Sequence, residues 1–325
     1  MTNYIFRRTL QTLIVIGVLS YFCYYMMTLM PGDPVELMIQ ANPKITSEDI
    51  TRLRSIYGLD QPIYARYGKW LGTIMNGDLG YSRTYRIPVT EMLGPRLINT
   101  FYLSMSALLL SLAIAVPLGV LAALNRGTKL DYGIGLFAFG GISTPSFWLG
   151  IVLILIFGVW LKVLPASGTY TVGLDESQMS YWNVFTDRFT YMILPMMTLA
   201  YLTIGNFLRF TRSSMLDSMG NDYIRTAKAK GLPWRRVVIF HGFRNALLPL
   251  ITTITLSFSS VFSGATITET VFAYQGMGRL IYESIISNDF NVAMICVMIT
   301  VTMVLILNLL ADILYSFADP RITLK

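Results

Sequence analysis

The chain has 325 residues, of which 54% are hydrophobic and only 13% are charged, a composition too apolar for an ordinary soluble domain. We therefore expect a polytopic membrane protein surrounded by membrane lipid. The formal net charge of +7 does not indicate a nucleic-acid partner, because the basic residues cluster between apolar segments rather than beside exposed aromatic residues. Cys23 and Cys296 both fall inside apolar runs, which argues against a disulfide framework or a metal cluster.

The first apolar run is long enough to cross a membrane as a helix. Arg7 and Arg8 precede about 20 apolar residues from Leu10 to Met30, enough for roughly 30 Å of hydrocarbon. A signal peptide would have a shorter apolar core and a cleavage site flanked by small residues, whereas this run ends in Pro-Gly-Asp-Pro. We predict that residues 1–30 form a cytoplasmic N-terminus and an uncleaved first span.

Residues 31–96 are polar and of mixed charge, and we predict that they form a small extracytoplasmic subdomain between spans 1 and 2. One short helix is expected from Ser47 to Tyr57, with Gly58 ending it. A second is expected from Tyr64 to Met75, where apolar residues recur at helical spacing. This second helix should rest on the first short helix or on the membrane surface.

Residues 97–325 are predicted to form the rest of an all-α transmembrane core of six helices in total. The expected spans are Leu97–Leu124, Tyr132–Leu164, Phe189–Phe210, Leu247–Thr268 and Asn291–Phe317. The span Tyr132–Leu164, which is the third in the chain, would be about 50 Å long as one straight helix, and this exceeds the bilayer. We therefore expect a strong tilt or a break within residues 140–145, where the sequence is Gly-Gly-Ile-Ser-Thr-Pro.

The distribution of charge fixes the expected orientation. The predicted inside segments hold 14 basic and 5 acidic residues, and the predicted outside segments hold 11 basic and 13 acidic residues. An excess of basic residues marks the cytoplasmic side. Both termini are therefore expected in the cytoplasm, in the cytoplasmic (inner) membrane of a bacterium or archaeon.

The inside segment from Asn221 to Pro249 contains a short polar helix. Asn221 or Asp222 can cap its start, Gly231 can supply a left-handed residue at its end, and Pro233 prevents its continuation. Tyr223, Ala227 and Gly231 recur at a spacing of four, so small residues would let another backbone approach one face. The residues alone leave two interpretations open, a solvated basic loop or a docking element.

Sequence motifs favour the second interpretation. The heptapeptide RTAKAKG at 225–231, followed by RNALLP at 244–249, resembles the cytoplasmic loop of ABC importer permease subunits, above all those of the dipeptide/oligopeptide (peptide/nickel) transport family. Other matching stretches occur in the same order along most of the chain. They are LMPGDP at 29–34, YGLDQP at 57–62, GDLGYS at 77–82, GISTPSFW at 141–148, ETVF at 269–272, GMGRL at 276–280 and DPR at 319–321.

The resemblance implies a type I ABC importer permease fold that works by alternating access. It also implies that a coupling helix, within a cytoplasmic coupling loop at 217–246, sits in a groove of an ATPase. The residues carried over to that helix are Asp222, Tyr223, Arg225, Thr226, Ala227, Lys228, Ala229, Lys230 and Gly231. The broad ABC-importer pattern has glutamate where this chain has Arg225, so a salt bridge made by that glutamate is not carried over.

No energy source is expected within the chain. It contains no G-x-x-x-x-G-K-[ST] loop, so ATP and Mg²⁺ belong in partner ATPases, and we expect no cofactor, metal or catalytic residue here. The single histidine, His241, lacks a second histidine or a nearby carboxylate. The resemblance implies as partners a second homologous permease, two cytoplasmic ATPase subunits and an extracytoplasmic substrate-binding protein.

Hydroxyl residues in the predicted fifth span form a candidate pathway surface. They recur at spacings of three and four, which would place them on one helix face. They are Thr252, Thr255, Ser259, Ser263 and Thr266. Such a stripe could line a translocation pathway or pack closely against another helix, and both interpretations stay open. Asp312 in the sixth span could snorkel, pair with an inside arginine or contact substrate.

The sequence as a whole therefore favours an importer of di- and oligopeptides driven by separate ATPases. The same machine with nickel, glutathione or a glycoside as cargo is the first alternative. A secondary transporter is less favoured, because the spans show neither paired buried charges nor a detectable inverted repeat, and the inside loop would have no role.

Overall fold

The computed structural model describes residues 2–29, 46–56, 58–173, 179–259 and 265–318, and within these ranges the chain is helical, with only an isolated bridge between Tyr81 and Pro88. We number the helices in chain order. They are α1 Thr2–Thr28, α2 Ser47–Ile56, α3 Ile63–Met75, α4 Val89–Leu124, α5 Lys129–Ser143, α6 Ser146–Leu153, α7 Tyr181–Met219, α8 Asp222–Ala229, α9 Trp234–Arg236, α10 Arg244–Ser259, α11 Thr266–Val271, α12 Met277–Ile286 and α13 Phe290–Ala318. Two π-helical segments, Ile154–Trp160 and Val237–Phe243, extend α6 and α9.

Within the described ranges, four helices are long and apolar enough to cross a membrane, and two bent helix pairs bring the total there to as many as six spans. The four single spans lie in α1, α4, α7 and α13, and the bent pairs join α5 to α6 and residues 234–247 to 249–258. The six predicted spans therefore each have a helical counterpart. Because α4 begins at Val89 and α7 has 39 residues, both extend well beyond their apolar cores.

The predicted break in the third span is confirmed. Thr144 leaves the helical region at φ −87° and ψ 126°, and Pro145 follows it. Since proline cannot donate to the helix and disfavours helical geometry in the residue before it, the chain turns by 105° between α5 and α6.

The residues fall into two compact units. The first comprises residues 2–96 and 280–303. Within it α3 packs on the first span, where Tyr67 meets Tyr21 and Tyr24 with ring centroids 5.2 and 5.6 Å apart. The Tyr67 hydroxyl also lies 2.5 Å from that of Ser20. The short helix α3 therefore rests on α1, a contact that our expectations had not named.

A buried carboxylate joins distant parts of this first unit. Asp289 accepts hydrogen bonds from the Ser82 hydroxyl at 2.5 Å and from the Thr84 amide at 3.0 Å. Asn291 donates to the carbonyl oxygen of Leu79 at 3.0 Å. Residues 79–84 are thus fastened to the start of α13 although about 200 residues separate them in sequence.

The second unit comprises residues 97–279 and the part of the chain from 304 onward. Its central core lies between α4, α5, α7 and α10. The buried residues of this core are Leu108, Ala115, Ala122, Ile134, Ala138, Ile204, Phe207, Leu208 and Leu250. Glycines let α5 and α7 approach closely, because a Cβ at Gly141 would lie 2.4 Å from the Tyr201 carbonyl oxygen. Small residues at contacts are the usual means of packing helices in membranes.

The predicted fifth span is interrupted before its expected end. Helix α10 is described as far as Ser259, and α11 begins separately at Thr266 after Ala265, whose φ of −102° and ψ of 58° are not helical. The expectation of one continuous helix from Leu247 to Thr268 is therefore wrong at its C-terminal end. Residues 260–264 lie outside the described ranges.

Candidate functional site

Helix α8 is the element on which the sequence motifs converge. It runs from Asp222 to Ala229, with Asn221 extended before it and Lys230 as its C-cap, and so lies between the residues predicted to start and to end it. Gly231 has φ +73°, the left-handed conformation predicted for it. The Asn221 side chain donates to the Asp217 carbonyl at 2.8 Å and makes no capping bond, so side-chain capping by Asn221 is not observed.

The apolar face of α8 turns toward the chain itself. Ile224 and Ala227 are 1% and 4% exposed and pack against the buried Val237, with Met219 and Leu232 at the edge of the cluster. Ala227 therefore seats the helix on this chain and does not present a small residue to another protein. This corrects the expectation for Ala227 alone, since Tyr223 and Gly231 of the same predicted face are exposed.

Ser218, at the end of α7, fastens α8 to the following segment. Its hydroxyl donates to the Gly242 carbonyl at 2.7 Å, so its oxygen is left to accept from the Tyr223 hydroxyl at 2.8 Å. Gly242 has no room for a side chain, because a Cβ there would lie 2.7 Å from the Met219 sulfur. The contact thus ties together the end of α7, the start of α8 and the π-helical turn before α10.

The opposite face of α8 is exposed and basic. We call it the basic face, and its members on α8 and the residues after it are Asp222, Tyr223, Arg225, Thr226, Lys228, Ala229, Lys230, Arg235 and Arg236. Asp222 is the one carboxylate in this set and pairs with Arg225 at 3.3 Å, but both side chains are at least 80% exposed and the pair contributes little stability. The Lys228 amine lies 4.8 Å from the centre of the Trp234 ring. Such a surface favours an acidic partner.

One residue of this site escaped the sequence-based selection. Ile224 was not among the predicted coupling residues, although it is the main anchor of α8. A signal was available, since Ile224 and Ala227 are apolar residues three apart on an otherwise polar helix, which indicates a buried face.

The structure does not bring the predicted hydroxyl stripe together. Thr252 and Thr255 lie on α10, and the Thr255 hydroxyl donates to the Ile251 carbonyl at 2.8 Å. Thr266 begins the separate helix α11. The side chains of Ser259, Ser263 and Asp312 lie outside the described residues. A single face of five hydroxyls on one helix is thus not formed. His241 lies in the π-helical segment, and the described part of the chain holds no cluster of potential metal ligands.

A second polar contact links α5 and α7. The Arg212 guanidinium donates from Nε and Nη2 to the two oxygens of Asp131, at 2.7 and 2.8 Å. Asp131 also accepts from the Gly127 amide at 3.0 Å. Two parallel bonds between a planar fork and a carboxylate fix both helices in orientation as well as in distance.

Glu269 is the centre of a buried hydrogen-bond network in the second unit. It is 0% exposed, and its carboxylate accepts from the Thr100 hydroxyl at 2.8 Å and from the Arg279 amide at 2.9 Å. The Met277 amide donates to the same Thr100 oxygen at 2.8 Å. Burial raises the pKa of Glu269, and the hydrogen bonds it accepts offset part of that rise. A Cβ at Gly276 would lie 2.4 Å from this carboxyl carbon, so only glycine fits there.

Comparison with known proteins covers almost the whole chain. Residues 115–324 match the family described as binding-protein-dependent transport system inner membrane component, and residues 1–100 match its N-terminal membrane-component family. The chain is 40% identical over 323 residues to the oligopeptide transport system permease protein AppB of Bacillus subtilis, covering 99% of each chain. It is 38% identical to the dipeptide transport system permease protein DppB of Escherichia coli K12, covering 100% of each.

A solved structure shows the same fold at low sequence identity. The chain resembles a structure entitled "Inward facing conformations of the MetNI methionine ABC transporter", with a TM-score of 0.56 and 16% identity, over 71% of this chain and 97% of that one. The type I importer permease fold predicted from the motifs is therefore confirmed.

Proposed function

Because the chain belongs to the family of binding-protein-dependent transport system inner membrane components, we propose that it is one permease subunit of an ATP-driven peptide importer. The relatives that match it from end to end are named as permeases for dipeptides and oligopeptides. The cargo is then a di- or oligopeptide, which crosses the cytoplasmic membrane by alternating access. Other cargoes have no observation in their favour.

The packing of α8 on its own chain is the single observation that supports its role in coupling. Ile224 and Ala227 bury its apolar side against Val237, while the basic face stays exposed. A polar helix held rigidly on its own chain with a charged face outward is suited to docking rather than to solvation alone. The proposed docking residues are Asp222, Tyr223, Arg225, Thr226, Lys228, Ala229, Lys230 and Gly231, and the partner is an ATPase subunit that binds ATP and Mg²⁺.

Movement of the docked ATPase would pass directly into two spans. Ser218 links the end of α7 to Tyr223 on α8 and to Gly242 before α10. A displacement of α8 must therefore carry the ends of α7 and of the segment leading into α10. Rigid-body rotation of packed helices is the ordinary way in which a site is opened to alternate sides of a membrane.

The full assembly would contain a second homologous permease, two cytoplasmic ATPases and an extracytoplasmic binding protein. The family description supports the binding protein, and the charge distribution supports cytoplasmic termini, an extracytoplasmic subdomain at residues 31–96 and a transmembrane core at 97–325 with its coupling loop at 217–246. We keep Thr252, Thr255, Ser259, Ser263 and Thr266 as candidates for the pathway, with Thr252 and Thr255 on α10 and Thr266 on α11.

Reconstitution tests this function. The permease would be placed in proteoliposomes with its second permease, ATPases and binding protein, and uptake of a radiolabelled tripeptide would be followed. We expect uptake that requires ATP and every one of these subunits. Uptake that continues without the ATPases and follows an ion gradient would contradict the proposal, and a metal or sugar co-purifying with the binding protein would contradict the cargo.

A further inference from the structure

A recess lined mainly by polar residues lies in the second unit, between the C-terminal half of α7 and the middle of α10. Its volume is about 510 Å³, and its lining residues are Asn206, Arg209, Phe210, Arg212, Ser213 and Thr253. The members from α7 recur at spacings of three and four, so they share one face of that helix. Arg209 precedes the end of α7 by ten residues, or roughly 15 Å along the axis.

The recess holds one guanidinium that pairs with a described carboxylate and one that does not. Arg212 gives two hydrogen bonds to Asp131, which neutralises its charge. Arg209 is exposed and makes no hydrogen bond or ion pair with the residues that the structure describes. Among those residues, the recess therefore carries about one uncompensated positive charge. A cationic side chain to which the described residues present no anion is a candidate ligand site.

The remaining polar groups suit an anion of the size of a carboxylate. The Asn206 amide and the Ser213 hydroxyl can donate, and the Thr253 hydroxyl is occupied by the Pro249 carbonyl at 3.3 Å. A guanidinium presents two parallel N–H groups that match the two oxygens of a carboxylate. A neutral side chain or a cation would gain nothing from this arrangement.

We propose that this recess binds the C-terminal carboxylate of the transported peptide as it leaves the pathway toward the cytoplasm. The inference rests on the proposed function, because a peptide is the cargo that brings a free carboxylate to this place. One unpaired charge in an open recess should hold the carboxylate weakly, which suits release. Every transported peptide has this group whatever its side chains, so the site would not select among sequences.

A tritiated binding assay tests the recess without the binding protein. The two permeases with their two ATPases, in neutral phosphatidylcholine nanodiscs without nucleotide, would be mixed with tritiated tri-alanine or with its C-terminal amide. We expect the free acid to bind about tenfold more tightly than the amide, the amount that one charge-assisted contact supplies. Arg209→Gln should remove this preference by weakening only the acid, and Arg209→Lys should keep part of it.

Lys129→Gln is the matched control, since Lys129 is an exposed cation on the same side that does not line the recess. It should leave the acid-to-amide ratio unchanged. Equal binding of acid and amide, no detectable binding of the acid, or a ratio that Arg209→Gln does not alter would each overturn the inference. If Arg209→Gln instead removes a co-purifying anionic phospholipid while the ratio stays the same, the recess holds a lipid phosphate and the inference is likewise overturned.

Peptide uptake by the unmodified transporter separates this result from the proposed function. ATP-dependent uptake of tri-alanine together with any of these contrary binding results refutes the recess alone. Absence of peptide uptake by the unmodified, fully assembled transporter refutes the proposed function itself.

Discussion

Asp131 and Arg212 form a bidentate ion pair between the first turn of α5 and the C-terminal part of α7, with N–O distances of 2.7 and 2.8 Å. The carboxylate is nearly buried, whereas the guanidinium side chain is 33% exposed. Asp131→Asn removes one acceptor and leaves the cation uncompensated, which should destabilise the protein by about 1–2 kcal/mol after allowance for solvent screening. Thermal unfolding of the purified permease in detergent would measure it.

The control is Asp222→Asn on α8, whose pair with Arg225 is largely exposed. It should leave the unfolding temperature unchanged. A double-mutant cycle with Arg212→Gln isolates the coupling between Asp131 and Arg212. Additive effects in that cycle would mean that the pair does not contribute to stability.

The orientation of α8 can be tested with two alanines of the same helix. Ala227 is buried and Ala229 is exposed. Ala227→Asp would bury an unpaired charge, so α8 should lose its packing contact with Val237. In inside-out vesicles without ATPases, trypsin should then cleave after Lys228 and Lys230 at least roughly tenfold faster, and Ala229→Asp should not change the rate. Equal cleavage rates for both variants would contradict the assignment of Ala227 to the buried face of α8.

The end of α8 depends on backbone conformation at Gly231. Its φ is +73°, and no atom lies within 4 Å of where a Cβ would be, so a side chain there would be strained without being crowded. Gly231→Val should cost about 1–2 kcal/mol locally and displace the helix end, lowering the amount of peptide imported per ATP hydrolysed. Gly231→Asn, which tolerates this conformation, should remain close to the unmodified protein. Unchanged coupling with valine would show that the helix end does not carry the coupling.

Glu269 predicts how stability depends on pH. Burial raises its folded pKa above the ordinary value of 4.5. The contribution of Glu269 to the free energy of unfolding is therefore fully present below the unfolded pKa of about 4.5. It is lost as pH rises through the folded pKa, because ionising the buried carboxyl is costly. Each unit by which the folded pKa exceeds the unfolded pKa lowers the free energy of unfolding by about 1.4 kcal/mol, once the carboxyl is ionised in both the folded and the unfolded protein.

The unfolding temperature in detergent should thus fall from pH 5 to pH 8 by an amount that Glu269→Gln removes. Thr100→Val serves as the companion variant, since it removes one hydrogen bond to the carboxylate and should steepen the fall. Identical pH profiles for the unmodified protein and Glu269→Gln would refute the role given to this group.

Close packing of α5 on α7 predicts opposite results for two glycines of α5. A Cβ at Gly141 would meet the Tyr201 carbonyl oxygen at 2.4 Å, whereas a Cβ at Gly135 would meet no atom within 4 Å. Gly141→Ala should destabilise the protein by about 1–3 kcal/mol, because backbone cannot move aside easily. Gly135→Ala should be neutral or slightly stabilising. Thermal unfolding of the two variants compares them, and equal stability would contradict the close approach.

Local features of the fold were predictable from the sequence because they depend on neighbouring residues. Apolar runs indicated the spans, Pro145 indicated the break, and Gly231 indicated the end of α8. The interruption between α10 and α11 was missed, since the residues there continue a pattern of apolar and small side chains that a helix could also adopt.

Features that depend on distant contacts were not predictable in the same way. Asp131 and Arg212 are 81 residues apart, and Thr100 and Glu269 are 169 apart. Spacing along the chain carries no information on such pairs without homologous sequences to compare. The burial of Ala227 was not predicted for a different reason. A small residue suits both a buried helix contact and an exposed docking face, and only its contact with Val237 shows which of the two is formed.

The hydrogen bonds of Asp289 bear on the order in which the protein is made. Ser82 and Thr84 emerge from the ribosome about 200 residues before the carboxylate that they bind. The Ser82 hydroxyl and the Thr84 amide therefore lack this hydrogen-bond acceptor until nearly the whole chain has been synthesised. A nascent chain halted before Asp289 would expose these donors, and we expect membrane proteases that remove unassembled subunits to recognise such chains first.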